Sequence, residues 1–77
     1  MAAKKLKQAF GKTVRECRLE KNLSQEQLAF ESGLTRNYIS IIELGRQSAT
    51  LDIVEALARA LETPASVLIA RAERTLR

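Results

Sequence analysis

The chain has 77 residues, 45% of them hydrophobic, which is enough for one small core and about 4–12 kcal/mol of net stability. A net charge of +4 and a pI near 9.7 draw it toward polyanions, whether nucleic acid, acidic membrane or acidic protein. Cys17 is the one cysteine and histidine is absent, which excludes an intramolecular disulfide, His-containing or multi-Cys zinc sites and His-based general-base catalysis, and suits a reducing cytoplasm.

Met1 to Phe10 carries Lys4, Lys5 and Lys7 without the apolar stretch and cleavage site of a signal peptide. No apolar run approaches the roughly 18 residues of a membrane span, so the sequence predicts a soluble protein. Aromatics are few (Phe10, Phe30, Tyr38) and no Asn-Gly or Asp-Gly hairpin signal occurs, which argues against strands. Leu6, Phe10, Val14 and Cys17 recur at helical spacing and predict a first helix from Leu6 to about Lys21, closed by a left-handed Asn22. Ser24 with Gln27 forms a capping box that opens a second helix, with Leu28 and Ala29 inward and Gly33 ending it. Thr35 caps a third helix whose apolar positions, Tyr38, Ile39, Ile42 and also Ile41, run to Leu44 before Gly45. After a polar connector over residues 46–49, Thr50 caps a fourth helix with Leu51, Val54, Leu57, Ala58 and Leu61 on one face. Thr63-Pro64 reads as a cap followed by proline at the first position of a fifth helix bearing Val67, Leu68 and Ile69. The expectation is an all-α, compact five-helix domain, residues 1–77 as one unit, with helices 4 and 5 (about 51–75) supplying core and dimerisation surface.

Residues 24–44, SQEQLAFESGLTRNYISIIEL, have the layout of a helix-turn-helix, and the small Ala29 permits a close helix crossing. Helix-glycine-helix alone is a weak signal, but the stretches Arg18 to Ala29, Ser32 to Ser40 and Ile42 to Arg46 closely resemble the phage Cro/cI-type (xenobiotic response element) helix-turn-helix family. The resemblance covers roughly residues 8–70, including LDIVEALARAL of the fourth helix. It implies a lambda-repressor-like fold and a bacterial or phage-encoded transcriptional regulator, repressor or activator, cytoplasmic and associated with the nucleoid. The chain departs from the family pattern at Ala49, where proline commonly precedes the cap, and at Ile41, where a polar residue often faces bases. The Arg-x-Tyr-Ile-Ser run at Arg36 to Ser40 resembles controller proteins of restriction-modification systems.

In this docking geometry the second helix of the motif enters the major groove of double-stranded DNA, which places Thr35, Arg36, Asn37 and Ile41 toward base edges. Arg36 suits guanine O6 and N7, Asn37 suits adenine N6 and N7, Ile41 suits a thymine methyl, and Ser40 can contact a base or a phosphate. The bland alternative for Arg36 is a solvated surface charge. Gln25 and Ser24 at the start of the second helix, the Tyr38 hydroxyl, and Arg46, Gln47 and Ser48 beyond the reader helix are the candidate phosphate contacts. Lys4, Lys5, Lys7 and Lys12 fit a solvated face or arm better than a DNA flank. The resemblance further implies that Arg18 pairs with Glu43 as a structural tie. Cys17, on an apolar face, reads as a buried inert thiol.

One reader helix covers about four base pairs, so a homodimer with reader helices roughly 34 Å apart on a near-palindromic operator is expected. Val67-Leu68-Ile69 cannot all face one small core, which makes Val67 and Ile69 the candidate dimer contacts. An antitoxin that binds both DNA and a toxin is the competing function. Glu26 or Glu31 could touch RNA polymerase, although solvated carboxylates are the default. The enzyme alternative lacks its parts, with no GxSxG elbow, no GxxxxGK[ST] loop and no metal-ligand cluster. No cofactor is called for, and a membrane-surface role conflicts with the use of Leu6, Phe10 and Val14 in the core.

Overall fold

The computed structural model describes residues 2–76, with residues 2–4 as backbone only. Five helices follow in order: α1 (Ala2–Glu20), α2 (Gln25–Ser32), α3 (Arg36–Glu43), α4 (Leu51–Ala60) and α5 (Ala65–Arg74). α1 starts a turn before the expected Leu6, since the Ala-Ala-Lys-Lys lead-in consists of strong helix formers. Among the described residues no helix is long and apolar enough to cross a membrane.

Left-handed residues close four of the helices. Asn22 (φ 58°) follows α1, Gly33 (φ 75°) follows α2, Gly45 (φ 71°) follows α3 and Glu62 (φ 53°) follows α4. The amide after each of these positions reaches back to a carbonyl in the last turn of its helix, for instance Leu34 to Ala29 and Thr63 to Ala58, both at 3.0 Å. Thr63 does not cap α5 as expected. Its hydroxyl donates to the Leu61 carbonyl at 3.0 Å within the turn set up by Glu62, and Pro64 itself takes the cap position without a side-chain bond.

The core is built around α1, which packs against α5 and α3, while α2 packs against α3 and α4 and α4 also meets α5. Val14, Leu28, Ile39, Ile42, Leu57, Leu61 and Leu68 are fully buried at its centre. Leu51 is not part of it, being 87% exposed. It occupies the first position of α4, and because helical side chains lean toward the N-terminus it projects past the end of the core rather than into it. Leu44 likewise ends α3 pointing to solvent.

Gly11 sets the approach of α1 to α3. A Cβ there would collide with the carbonyl oxygen of Ile42 and lie 3.0 Å from that of Glu43, so only glycine permits this crossing. On the opposite side Arg71 of α5 reaches α1, donating to Cys17 Sγ at 3.0 Å and Glu20 Oε2 at 3.1 Å, with Glu16 at 3.7 Å. Cys17 is buried as expected, and burial pushes its thiol pKa up despite the nearby Arg71 cation.

Candidate nucleic-acid interface

α2 and α3 are held at both ends by the backbone chemistry read from their sequence. Ser24 Oγ accepts from the Gln27 amide at 3.0 Å and Gln27 Oε1 accepts from the Ser24 amide at 2.7 Å, which is the reciprocal capping box. Thr35 Oγ1 accepts from the Tyr38 amide at 3.0 Å and so fixes the start of α3 directly after the left-handed Gly33. The hydroxyl oxygens of Ser24 and Thr35 are therefore committed to capping, and each retains its O–H as a donor.

At about 100° per residue, Arg36, Asn37, Ser40, Ile41 and Leu44 fall on one side of α3, while Tyr38, Ile39, Ile42 and Glu43 fall on the other. Burial follows that division. Ile39, Ile42 and Glu43 are buried and Tyr38 packs half-buried against the core, whereas Arg36, Asn37 and Leu44 are exposed and Ser40 and Ile41 are half-exposed. The five expected base contacts, Thr35, Arg36, Asn37, Ser40 and Ile41, thus lie on one continuous surface running along α3 from its N-terminal end. Leu44 extends that surface and was read from sequence only as the end of the apolar run. The loop residues Arg46, Gln47 and Ser48 are exposed beside its far end.

Arg18 and Glu43 form the expected pair, buried at 7% and 8% exposure. Arg18 Nε lies 2.7 Å from Glu43 Oε2 and Nη2 lies 3.1 Å from Oε1, a bidentate arrangement, while Nη1 donates to the Leu23 carbonyl at 2.9 Å. The hydrogen bond to Glu43 drives the Arg18 pKa still higher. Gln25 joins this network, its Nε2 donating to Glu43 Oε1 at 3.1 Å. Sequence reasoning placed Gln25 only toward phosphate. Here one amide hydrogen is turned inward, and the second hydrogen remains as the group that can face a backbone oxygen. One cluster therefore ties the end of α1, the α1–α2 turn, the start of α2 and the end of α3.

Glu26, on α2, lies 3.5 Å from Arg36 Nε with both side chains well exposed. The sequence carried no sign of this pairing, because the two residues are ten positions apart on different helices. Of the lysines near the N-terminus, Lys7 borders a cleft with Ser48 and Ala49, whereas Lys5 and Lys12 lie beside Thr75 and Leu76, where cations complement the C-terminal end of α5. The side chain of Lys4 lies outside the described residues. The cleft at Lys7 has a volume of 260 Å³, is mostly apolar and is also lined by Leu6, Phe10, Val54 and Ile69. Val67, 41% exposed, stands one helical face away on α5, while Leu68 between them is fully buried.

Residues 14–68 match the helix-turn-helix family. The chain is 53% identical to control protein C.BamHI of Bacillus amyloliquefaciens over 68% of its own length and 65% of that protein's, just under two thirds of the relative. It is 42% identical to control protein C.SmaI of Serratia marcescens over 86% of this chain and 79% of that one. Its fold is similar to the crystal structure of the restriction-modification controller protein C.AhdI from Aeromonas hydrophila, with a TM-score of 0.77 and 43% identity, covering 79% of this chain and 92% of that chain.

Proposed function

Because this chain belongs to the Cro/cI-type helix-turn-helix family, we propose that it is a DNA-binding transcriptional regulator that reads a near-palindromic operator as a homodimer, in the manner of a restriction-modification controller protein. The observation that carries this is the single uncovered surface on α3, on which Arg36, Asn37, Ser40 and Ile41 all lie on the side away from the core, on a helix tied from behind by Arg18 and Glu43. Arg36 takes guanine by its terminal nitrogens, Asn37 takes adenine, and Ile41 with Leu44 offers apolar contact to thymine methyl groups. Thr35 and Ser40 contribute hydroxyls at the groove floor or rim. Ser24, Gln25 and Tyr38 on one side, with Arg46, Gln47 and Ser48 on the other, bind the phosphate rails and set the register.

Selection of bound duplexes from a random library tests this. The expected result is an enriched near-palindrome containing guanine. Arg36→Ala lowers affinity for it by about 5- to 150-fold per half-site contact and relaxes the guanine position, whereas Arg46→Ala weakens all sequences alike and flattens the salt dependence. Recovery of no enriched sequence, with binding that simply fades in salt, overturns the regulator reading.

The homodimer uses α4 and α5 in this reading. Its support is the apolar groups that the fold leaves uncovered on these helices: Val67 on one flank of α5, the cleft lined by Ile69 on the other, and the projecting Leu51 at the start of α4. Light scattering at tens of micromolar protein is expected to give twice the 8.6 kDa mass of one chain, and Val67→Glu is expected to return it to one. A wild-type monomer under those conditions rules the assembly out. Contact with RNA polymerase or a toxin would fall instead to the outer face of α2, where Glu31 and the exposed Phe30 lie.

A further inference from the structure

The Glu26–Arg36 pair joins the two helices of the motif across open surface, with side chains 70% and 61% exposed and Oε2 3.5 Å from Nε. So wet a pair adds little to folding. Its placement is nevertheless specific. Arg36 sits at the first position of α3, where a cation meets the positive end of the helix dipole, and the first turn of α3 holds no acidic residue to offset it. The offset comes from Glu26 on α2. The shortest approach is through Nε, and among the described residues neither terminal nitrogen of the guanidinium makes a hydrogen bond, which leaves the end-on fork that matches guanine O6 and N7 available.

Resting on the guanine-reading role given to Arg36 above, we propose that Glu26 is a specificity-determining positioning residue for DNA recognition. It holds the stem side of the Arg36 guanidinium so that the fork points into the groove. It also acts against wrong sequences. On a site without guanine, Arg36 gains most by swinging to a phosphate, and that motion strands the Glu26 carboxylate unpaired beside a polyanion. On the correct site the pair stays together and the carboxylate remains neutralised. The discrimination therefore comes from an attractive contact and a repulsive one acting on the same side chain.

Fluorescence anisotropy at fixed salt tests this with three duplexes: the one enriched by selection, the same duplex with its guanine pair changed to A·T, and a scrambled one. Glu26→Gln is expected to tighten binding to the A·T-substituted and scrambled duplexes by about threefold while leaving the selected duplex nearly unchanged, so that the guanine preference falls by about threefold. In an Arg36→Ala background the same substitution is expected to leave that preference untouched. Tightening of all three duplexes by one factor, in both backgrounds, means that Glu26 is only a general surface charge and overturns the proposal. If Arg36→Ala itself leaves the guanine preference intact, the reading of Arg36 fails and the role of Glu26 falls with it. If Arg36→Ala abolishes the preference and Glu26→Gln does not change it, only Glu26 is misassigned.

Discussion

Glu43→Ala is expected to lower the free energy of unfolding by about 3–5 kcal/mol, a large share of the roughly 4–12 kcal/mol that holds a chain of this size together. The substitution leaves Arg18 buried with its Nε and Nη2 unpaired, since both bond Glu43, and only the Leu23 carbonyl remains to it. The cost is that of stranding a guanidinium inside the protein, not the intrinsic worth of the pair. Arg18→Met combined with Glu43→Leu removes both charges and is therefore expected to fall within about 1 kcal/mol of the parent chain. Urea unfolding followed by far-ultraviolet circular dichroism measures both. A loss below about 1 kcal/mol for Glu43→Ala would show that water reaches Arg18 and that the network does not hold α3 in place. Glu43→Ala is expected to weaken binding to all duplexes alike, through its lower folded fraction and the loss of the tie on α3 and Gln25, while leaving the guanine preference in place, which separates this residue from Arg36.

Gly11→Ala comes next in size, and its sign runs against the usual rule. Exchanging a mid-helix glycine for alanine ordinarily gains up to about 1 kcal/mol through chain entropy. At Gly11 the added methyl group meets the carbonyl oxygens of Ile42 and Glu43, which belong to the rigid backbone of α3. Overpacking of this kind costs about 1–3 kcal/mol or more, so a net loss of about 2 kcal/mol is expected, together with weaker operator binding as α3 is displaced. Gly33→Ala is the contrasting case. Nothing lies within 4 Å of its added Cβ, and the cost of about 1 kcal/mol comes from holding a side chain at φ 75°. A denaturation midpoint for Gly11→Ala at or above that of the parent chain would mean that α1 and α3 separate without penalty.

Local chemistry was legible from the sequence because it acts over three or four residues. The capping box at Ser24 and Gln27, the Thr35 and Thr50 caps and the left-handed Gly33 all occur where the sequence puts them. The inward and outward faces of α3 were legible for the same reason. Leu51 misled because periodicity assigns a direction around the helix axis but not a depth along it, and a first-turn residue can point correctly yet lie beyond the core. Thr63 misled because the turn before it is closed by a left-handed glutamate, a residue that rarely adopts that conformation and so gives no sign of it, and this turn took over the Thr63 hydroxyl. Gln25 bonding to Glu43, Glu26 approaching Arg36 and Gly11 pressing on α3 are contacts between helices, and a single sequence carries almost no trace of them. The trace that did exist was an unexplained glycine one residue after Phe10 inside an otherwise regular helix.

α1 is bolted to α3 through Gly11 and Arg18 and to α5 through Cys17 and Arg71, and it runs without a break for 19 residues, about 28 Å. A dimer assembled through α5 would therefore have no hinge between its seam and its reading heads. The molecule would behave as a caliper locked at one opening. Such a protein forgives a changed letter in the operator more readily than an added one, because each inserted base pair shifts one half-site by about 3.4 Å and rotates it by roughly a tenth of a turn. In a genome, such a dimer would filter candidate sites by spacing before base identity.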